Sequence, residues 1–158
     1  MCIWIDCDSC PVPVRQHIST LAVQSSIKAI FVANHFISID NINTSFVSFI
    51  LCEKGKDEAD NLIFSSVSEN DIVVTRDILF AQRLVKSGYS VINDRGTRFD
   101  EKNIEKFVSE RNLSLMMSNL GLKKGYSKNS YSKKEFSAFC ECLDREIAKK
   151  KATLATYK

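Results

Sequence analysis

Ile3-Trp4-Ile5-Asp6-Cys7-Asp8 and Ile72-Val73-Val74-Thr75-Arg76-Asp77 decide how this chain reads. Each is a short apolar run that ends in aspartate and is followed by a helical pattern. Strands buried on both faces have this character, and such strands alternating with helices build a parallel sheet. All carboxyl ends of a parallel sheet lie along one edge, where ligands bind. If the two strands are neighbours, Asp6, Asp8 and Asp77 converge on one spot. Three carboxylates that close repel one another unless a cation or shared protons hold them. Hard divalent ions prefer oxygen ligands, so the pattern predicts a Mg²⁺ or Mn²⁺ site. The competing explanation is the ordinary use of aspartate at strand ends, as a turn former and helix cap.

Outward from these runs, strand and helix patterns alternate. Pro11–Ala22 reads as a helix, with Ser9 or Cys10 near its cap and prolines tolerated in its first turn. Ile30–Ala33 and Phe46–Leu51 read as strands two and three. A helix over Asp57–Val67 leads to the fourth strand, Ile72–Thr75. A helix over Ile78–Lys86, stopped by Gly88, leads to the fifth, Tyr89–Ile92. The alternation predicts an α/β fold with a central, mostly parallel five-stranded sheet, covered on both faces through right-handed crossovers. From about Asp100 the chain turns helical. Asp100 is placed to cap Asn103–Arg111, a second helix covers Leu113–Leu120, and a last one runs from Ser132 through Ile147. Gly121–Tyr131 is a loop by composition. Residues 1–148 read as a single domain, and the basic tail at 149–158 as frayed.

Bulk properties narrow the classes. A chain of 158 residues is long enough for one domain with one sizeable core. Its formal charge of +3 is too small to assign a nucleic-acid partner by itself. No apolar run approaches the length that spans a bilayer, and the opening Met1-Cys2-Ile3-Trp4 lacks the basic region of a secretory signal. Six cysteines with no other mark of secretion point to free thiols in a reducing cytoplasm. Cys7 and Cys10 form a Cys-x-x-Cys at a strand–helix junction, where a helix N-terminus would lower a thiol pKa. The neighbouring carboxylates act the other way and argue against a redox pair.

Ile3-Trp4-Ile5-Asp6-Cys7-Asp8-Ser9-Cys10-Pro11-Val12 resembles the opening signature of the bacterial YaiI/YqxD family, a Trp-Val-Asp-Ala-Asp-Ala-Cys-Pro type of run. Further stretches agree in order and spacing: Val32-Ala33-Asn34, Asp57 with Ala59-Asp60, Asp71–Thr75 with Asp77, Asn93 with Arg95-Gly96, and Phe139 with Leu143-Asp144. The resemblance covers nearly the whole chain. Cys7 and Ser9 stand where the family has alanines, Lys124-Gly125-Tyr126 where it usually has Gly-Gly-Pro, and Asp94 where it often has proline. The family is uncharacterised in function. Its fold is similar to the PIN domain, the metal-dependent nuclease fold of toxin ribonucleases and RNA-processing enzymes. The resemblance thus implies a PIN-like three-layer sandwich and a metal-dependent ribonuclease, with RNA as the partner.

Phosphodiester hydrolysis needs a nucleophilic water, charge neutralisation and a stabilised leaving oxygen, which carboxylate-held metal ions provide. Asp6, Asp8 and Asp77 are the catalytic candidates, and these three with Asp60 are the candidate ligands. Asp60 shares a helix face with Ile63 and Phe64 and needs a partner there, be it a metal, a capping amide or Lys56. Asp57 reads as a helix cap. Thr75 is a candidate for holding a water or a phosphate. For substrate binding, Arg95 follows strand five on the carboxylate edge. Lys124 and Lys128, with Lys123, Lys133, Lys134, Tyr126 and Tyr131, make a basic–aromatic stretch of the kind that tracks phosphates and stacks bases. Two alternatives stand beside the nuclease. Asp6-Cys7-Asp8 also resembles the nucleophile motif of haloacid-dehalogenase-type phosphatases. Asp6 would then attack phosphorus, Asp8 would act as general acid, and Asn93-Asp94 is the only late acidic motif available. The other is a PIN-like module that binds RNA or a protein without cutting.

Overall fold

The strands form where β-branched and aromatic runs lie between polar turns. β1 (Cys2–Asp6), β2 (Lys28–Ala33), β3 (Val47–Leu51), β4 (Ile72–Val74) and β5 (Ser90–Ile92) pair in parallel in the order β3-β2-β1-β4-β5. β6 (Arg98–Phe99) adds an antiparallel edge beside β5. The helices are α1 (Val12–Ser25), α2 (Glu58–Ser66), α3 (Ile78–Lys86), α4 (Ile104–Asn119) and α5 (Lys133–Thr156). This computed structural model describes residues 1–8, 10–53, 55, 57–122 and 130–156.

Period-two alternation along the strands divides the core between two faces. Ile3, Ile5, Phe31, Ile72, Val74 and Ile92 pack with Val14 and Ile18 of α1 and with Phe139, Leu143 and Ile147 of α5. Trp4, Val32, Val73, Val91 and Phe99 point the other way, against Ile63 of α2, Phe80 and Leu84 of α3, and Ile104 of α4. The result is the expected three-layer α/β sandwich. Among the described residues no helix is long and apolar enough to cross a membrane.

The structure departs from the sequence reading at four places. β6 is an addition to the expected five strands; two residues carry no periodicity to read. The two helices expected over 103–111 and 113–120 are one, because neither glycine nor proline interrupts the chain there. Asp100 still organises its start, with Oδ1 accepting the Lys102 and Asn103 amides at 3.0 and 3.1 Å. α1 runs past Ala22 to Ser25, closed by Ser26 in the left-handed region at φ 53° rather than by a glycine. The last helix, expected to end at Ile147, continues to Thr156. Lys149 pairs with Glu146 at 2.8 Å, and the Lys150 ammonium donates to the Glu69 carbonyl, so part of the basic tail is tied down.

Two buried carboxylates organise regions away from the aspartate-bearing strand ends. Asp71 accepts the Cys2 amide at 2.6 Å, the Ser68 amide at 2.9 Å and the Trp4 indole N–H at 3.3 Å, joining the amino ends of β1 and β4. Glu146 of α5 accepts the Ser90 hydroxyl at 2.9 Å, Arg98 Nε at 3.0 Å and Lys149 Nζ at 2.8 Å. The turn between β5 and β6 is shaped by Asn93, whose Oδ1 accepts the Arg95 and Thr97 amides at 3.0 and 2.9 Å. Gly96 in that turn has φ +83°, and a Cβ there would stand 2.4 Å from the Ala138 carbonyl of α5.

Candidate functional site

The sheet order makes β1 and β4 neighbours although the chain visits β2 and β3 between them. One connection leaves β1 toward β2, and the chain later crosses back to β4 on the other side. A crevice opens at such a switch point, outside the carboxyl ends of the strands. The register carries the site outward from the core. Trp4 faces Val73 and Ile5 faces Val74, so Asp6 and Thr75 come next on facing strand ends. Asp6 shares the face of Trp4, and Thr75 that of Val73. There Thr75 Oγ1 donates to Asp6 Oδ2 at 2.8 Å and accepts the Asp77 amide at 3.0 Å.

The other carboxylates gather around this pair. Asp8 donates its amide to Asp6 Oδ1 at 3.4 Å, and its own Oδ1 accepts the Asn34 amide at 3.0 Å with His35 Nδ1 at 3.4 Å. Asp77 Oδ1 caps α3, accepting the Leu79 and Phe80 amides at 2.8 and 2.9 Å. The ordinary role of a strand-end aspartate is therefore present at Asp77, beside whatever its second oxygen does. Asp57 occupies the cap position of α2 as expected. It does so in the left-handed region, at φ 63°, and its side chain makes no capping bond. Asp6, Asp8, Asp57, Asp60 and Asp77, with Glu58, Asn34 and Arg76, line one cavity of about 350 Å³.

Charge is crowded in this cavity. Burial pushes the Asp6 carboxyl up, and the Asp8 and Asp77 charges add to that against the lowering bonds from Thr75 and the Asp8 amide. Asp60 is pushed up to about 7, first by burial and then by Asp6, Asp77, Asp57 and Asp8. All side-chain donors in the cluster are oxygens, a set that suits a hard divalent cation. Among the described residues, no three His, Cys, Asp or Glu side chains stand close enough to grip a metal ion between them. An ion seated here would therefore be shared between fewer carboxylates and its own waters, the usual habit of Mg²⁺.

The remaining candidates divide. Thr75 is buried, and its hydroxyl donates to Asp6 and accepts the Asp77 amide. Arg95 lines a neighbouring cavity, with Asn93 and Asp94, and its Nε pairs with Glu135 of α5 at 3.1 Å. Lys124 and Lys128, with Lys123 and Tyr126, lie outside the described residues, as do Ser9 and Lys56. Arg76 lines both the carboxylate cavity and the Arg95 cavity. Its Nε donates to Asp94 at 2.7 Å, while the other Asp94 carboxylate oxygen is buried and has no partner among the described residues. The signal available in sequence was position alone, between Thr75 and Asp77. Cys7 and Cys10 are free thiols. Burial pushes Cys7 up to about 12 and Cys10 well above its ordinary value, which argues against a reactive redox pair.

Comparison with known proteins agrees with the strand-end motifs. The pattern of the family described as "Uncharacterized BCR, YaiI/YqxD family" matches residues 4–149. A UPF0178 protein of Psychromonas ingrahamii is 35% identical over 153 residues, covering 97% of this chain and 99% of that protein. A UPF0178 protein of Treponema denticola is 38% identical over 149 residues, covering 94% of this chain and 93% of its own length. One from Syntrophobacter fumaroxidans is 37% identical over 152 residues, with coverage of 95% and 96%. No solved structure gives a significant match. On a match that spans nearly its whole length, the chain belongs to the YaiI/YqxD family.

Proposed function

We propose that this protein hydrolyses phosphodiester bonds in RNA, with Mg²⁺ or Mn²⁺ held at the Asp6 cavity. One observation carries the reading. Aspartates from β1, from the segment after it, from the start of α2 and from the cap of α3 line one cavity at the sheet's switch point, where burial first and the neighbouring carboxylates second push Asp60 up to about 7. A fold has no structural use for that much uncompensated charge, whereas a cation site does. The PIN-like nuclease character that the family resemblance implies points the same way. Free thiols fit a reducing cytoplasm, where RNA is available.

The ion would take one or two of the Asp6, Asp8, Asp60 and Asp77 carboxylates directly and reach the others through its own waters. When bound, it supplies the charge that acidifies a water and offsets the phosphate. Thr75 fixes the orientation of Asp6 by donating to one of its oxygens. Arg76, steadied by Asp94, offers a guanidinium at the rim for a non-bridging phosphate oxygen. The phosphatase alternative is weaker because its late acidic group, Asp94, is turned to Arg76 and does not line the Asp6 cavity.

The test pairs calorimetry of Mn²⁺ binding with cleavage of an end-labelled RNA, on wild type and Asp6→Asn. Wild type should bind Mn²⁺ and cut, and Asp6→Asn should lose both. Equal Mn²⁺ binding by the two proteins with no cleavage by wild type would overturn the proposal. Turnover of a phosphomonoester through a trapped aspartyl-phosphate on Asp6 would replace it with the phosphatase. RNA binding by wild type without any cleavage would replace it with the non-catalytic module.

A further inference from the structure

A second cavity, of about 490 Å³, adjoins the carboxylate cavity, and Asp8 lines both. Its other walls come from the start of α1 and from the segment after β2. The volume lies within the range of small-ligand sites, large enough for one nucleotide.

Its lining combines two features. Phe36 is 79% exposed, the most exposed of the large apolar side chains in the described residues. Its ring meets the ring of Phe49 edge to face, with centroids 6.1 Å apart at 79°. An aromatic ring with one aromatic contact and the rest of its surface open to solvent offers a face on which a second plane can stack. Arg15 supplies the other feature. Its Nε is buried and finds no acceptor among the described residues, nor does the guanidinium have a carboxylate within ion-pair distance there. This holds although Asp8 and Asp40 line the same cavity. Buried donors ordinarily have acceptors, and a guanidinium offers five of them in a planar fork suited to phosphate. His35, beside Asp8, adds a donor at the boundary between the cavities.

We infer that this cavity is a nucleotide subsite, in which Phe36 stacks on an unpaired base and Arg15 holds the phosphate next to the one at the carboxylate cavity. The inference rests on the phosphodiester reading above and sharpens its substrate to single strands. A base inside a duplex is already covered on both faces and cannot reach Phe36, whereas an unpaired base can swing out and stack.

The test is fluorescence anisotropy of a short labelled single-stranded RNA in Ca²⁺, at two salt concentrations, with wild type, Phe36→Ala, Phe36→Tyr, Arg15→Ala and Arg15→Lys. Circular dichroism melts check that each variant is folded. Phe36→Ala should weaken binding about tenfold, and Phe36→Tyr should keep it, because every base offers a π-face to either ring. Arg15→Ala should weaken binding and flatten its salt dependence, and Arg15→Lys should restore the salt dependence, since the phosphate charge is what it meets. A blunt duplex should bind less tightly and ignore Phe36→Ala. Equal binding of single strands by wild type, Phe36→Ala and Arg15→Ala overturns the subsite, whether or not the protein cuts RNA; so does a wild type that binds no RNA. Variant-sensitive binding by a wild type that never cuts in Mn²⁺ leaves the subsite standing and removes the hydrolase reading instead.

Discussion

Asp71 and Asp6 sit at opposite ends of the same pair of strands, and the sequence around them has the same texture. Asp71 receives three N–H donors and joins the amino ends of β1 and β4. Glu146, under the other side of the sheet, is equally well served and is held below the usual carboxylate range: burial would raise it, but Lys149, Ser90 and Arg98 outweigh that. At the carboxyl ends the balance reverses. Asp6 and Asp60 have few donors, several acidic neighbours and raised pKa values. Burial is common to both regions, so burial is not what distinguishes a structural carboxylate from a functional one. The difference lies in whether the fold supplies the compensating donors or leaves that to something that arrives later.

The largest expected effect tests the saturated end. Asp71→Ala strands the Cys2, Ser68 and Trp4 donors and should lower unfolding free energy by about 3 kcal/mol, measured by urea denaturation. A loss no larger than that of a surface substitution would break the contrast between the two ends. Next comes Thr75→Val, which keeps shape but removes both the donor to Asp6 and the acceptor for the Asp77 amide. It should cost about 1.5 kcal/mol and raise the Asp6 pKa further, read by the same denaturation across pH.

Asp77 separates cap from charge. Asp77→Ala should lose about 1 kcal/mol in EDTA, because the α3 amides lose their acceptor. Asp77→Asn keeps an acceptor and sheds a negative charge, so it should be as stable as wild type or slightly more so, while both variants bind Mn²⁺ more weakly. If Asp77→Asn falls with Asp77→Ala and neither changes Mn²⁺ binding, Asp77 belongs with Asp71 as a purely structural group.

The smallest effect has a characteristic sign. Asp60 has a folded pKa of about 7, above its unfolded value, so the folded state holds more protons through the interval between them. Its contribution is therefore unfavourable above pH 7 and is relieved as pH falls toward about 4. Asp60→Asn should stabilise the metal-free protein at pH 8 by about 0.5 kcal/mol after solvent screening, and should give no such gain at pH 4. Urea denaturation at both pH values reads the difference; an equal shift at both would mean that Asp60 is not crowded by its neighbours.

The β1 and β4 runs were readable because their residues carry the physics themselves: apolar, β-branched, bounded by polar turns. Their adjacency stands in the sequence only as a condition; the sheet order supplies it, and with it the meeting of Asp6 and Thr75 at the next register position. What was not readable depended on geometry between distant segments. Thr75 is in sequence a candidate for holding a water or a phosphate, and nothing in a strand-end threonine announces that its hydroxyl bonds a residue 69 positions away. Arg76 and Arg95 look alike in sequence, and only the folded chain puts Arg76 at the carboxylate rim and Arg95 against Glu135. Nothing in the sequence marks Phe36, whose exposure only the folded chain shows. The sequence reading divides α4 at Asn112, a weak helix former, yet weak propensity without glycine or proline does not end a helix.

α5 closes one face of the sheet with Phe139, Leu143 and Ile147, and it carries the acceptor for Ser90 and Arg98. For a chain made from its amino end, this sets an order in time. β1, β2, β4 and α1 leave the ribosome with α1 alone on that apolar face, and the β5–β6 corner waits for Glu146. The carboxylate cavity, by contrast, is lined only by residues up to Asp77. A nascent chain can therefore assemble its acidic crevice before α5 closes the sheet face that α1 covers in part.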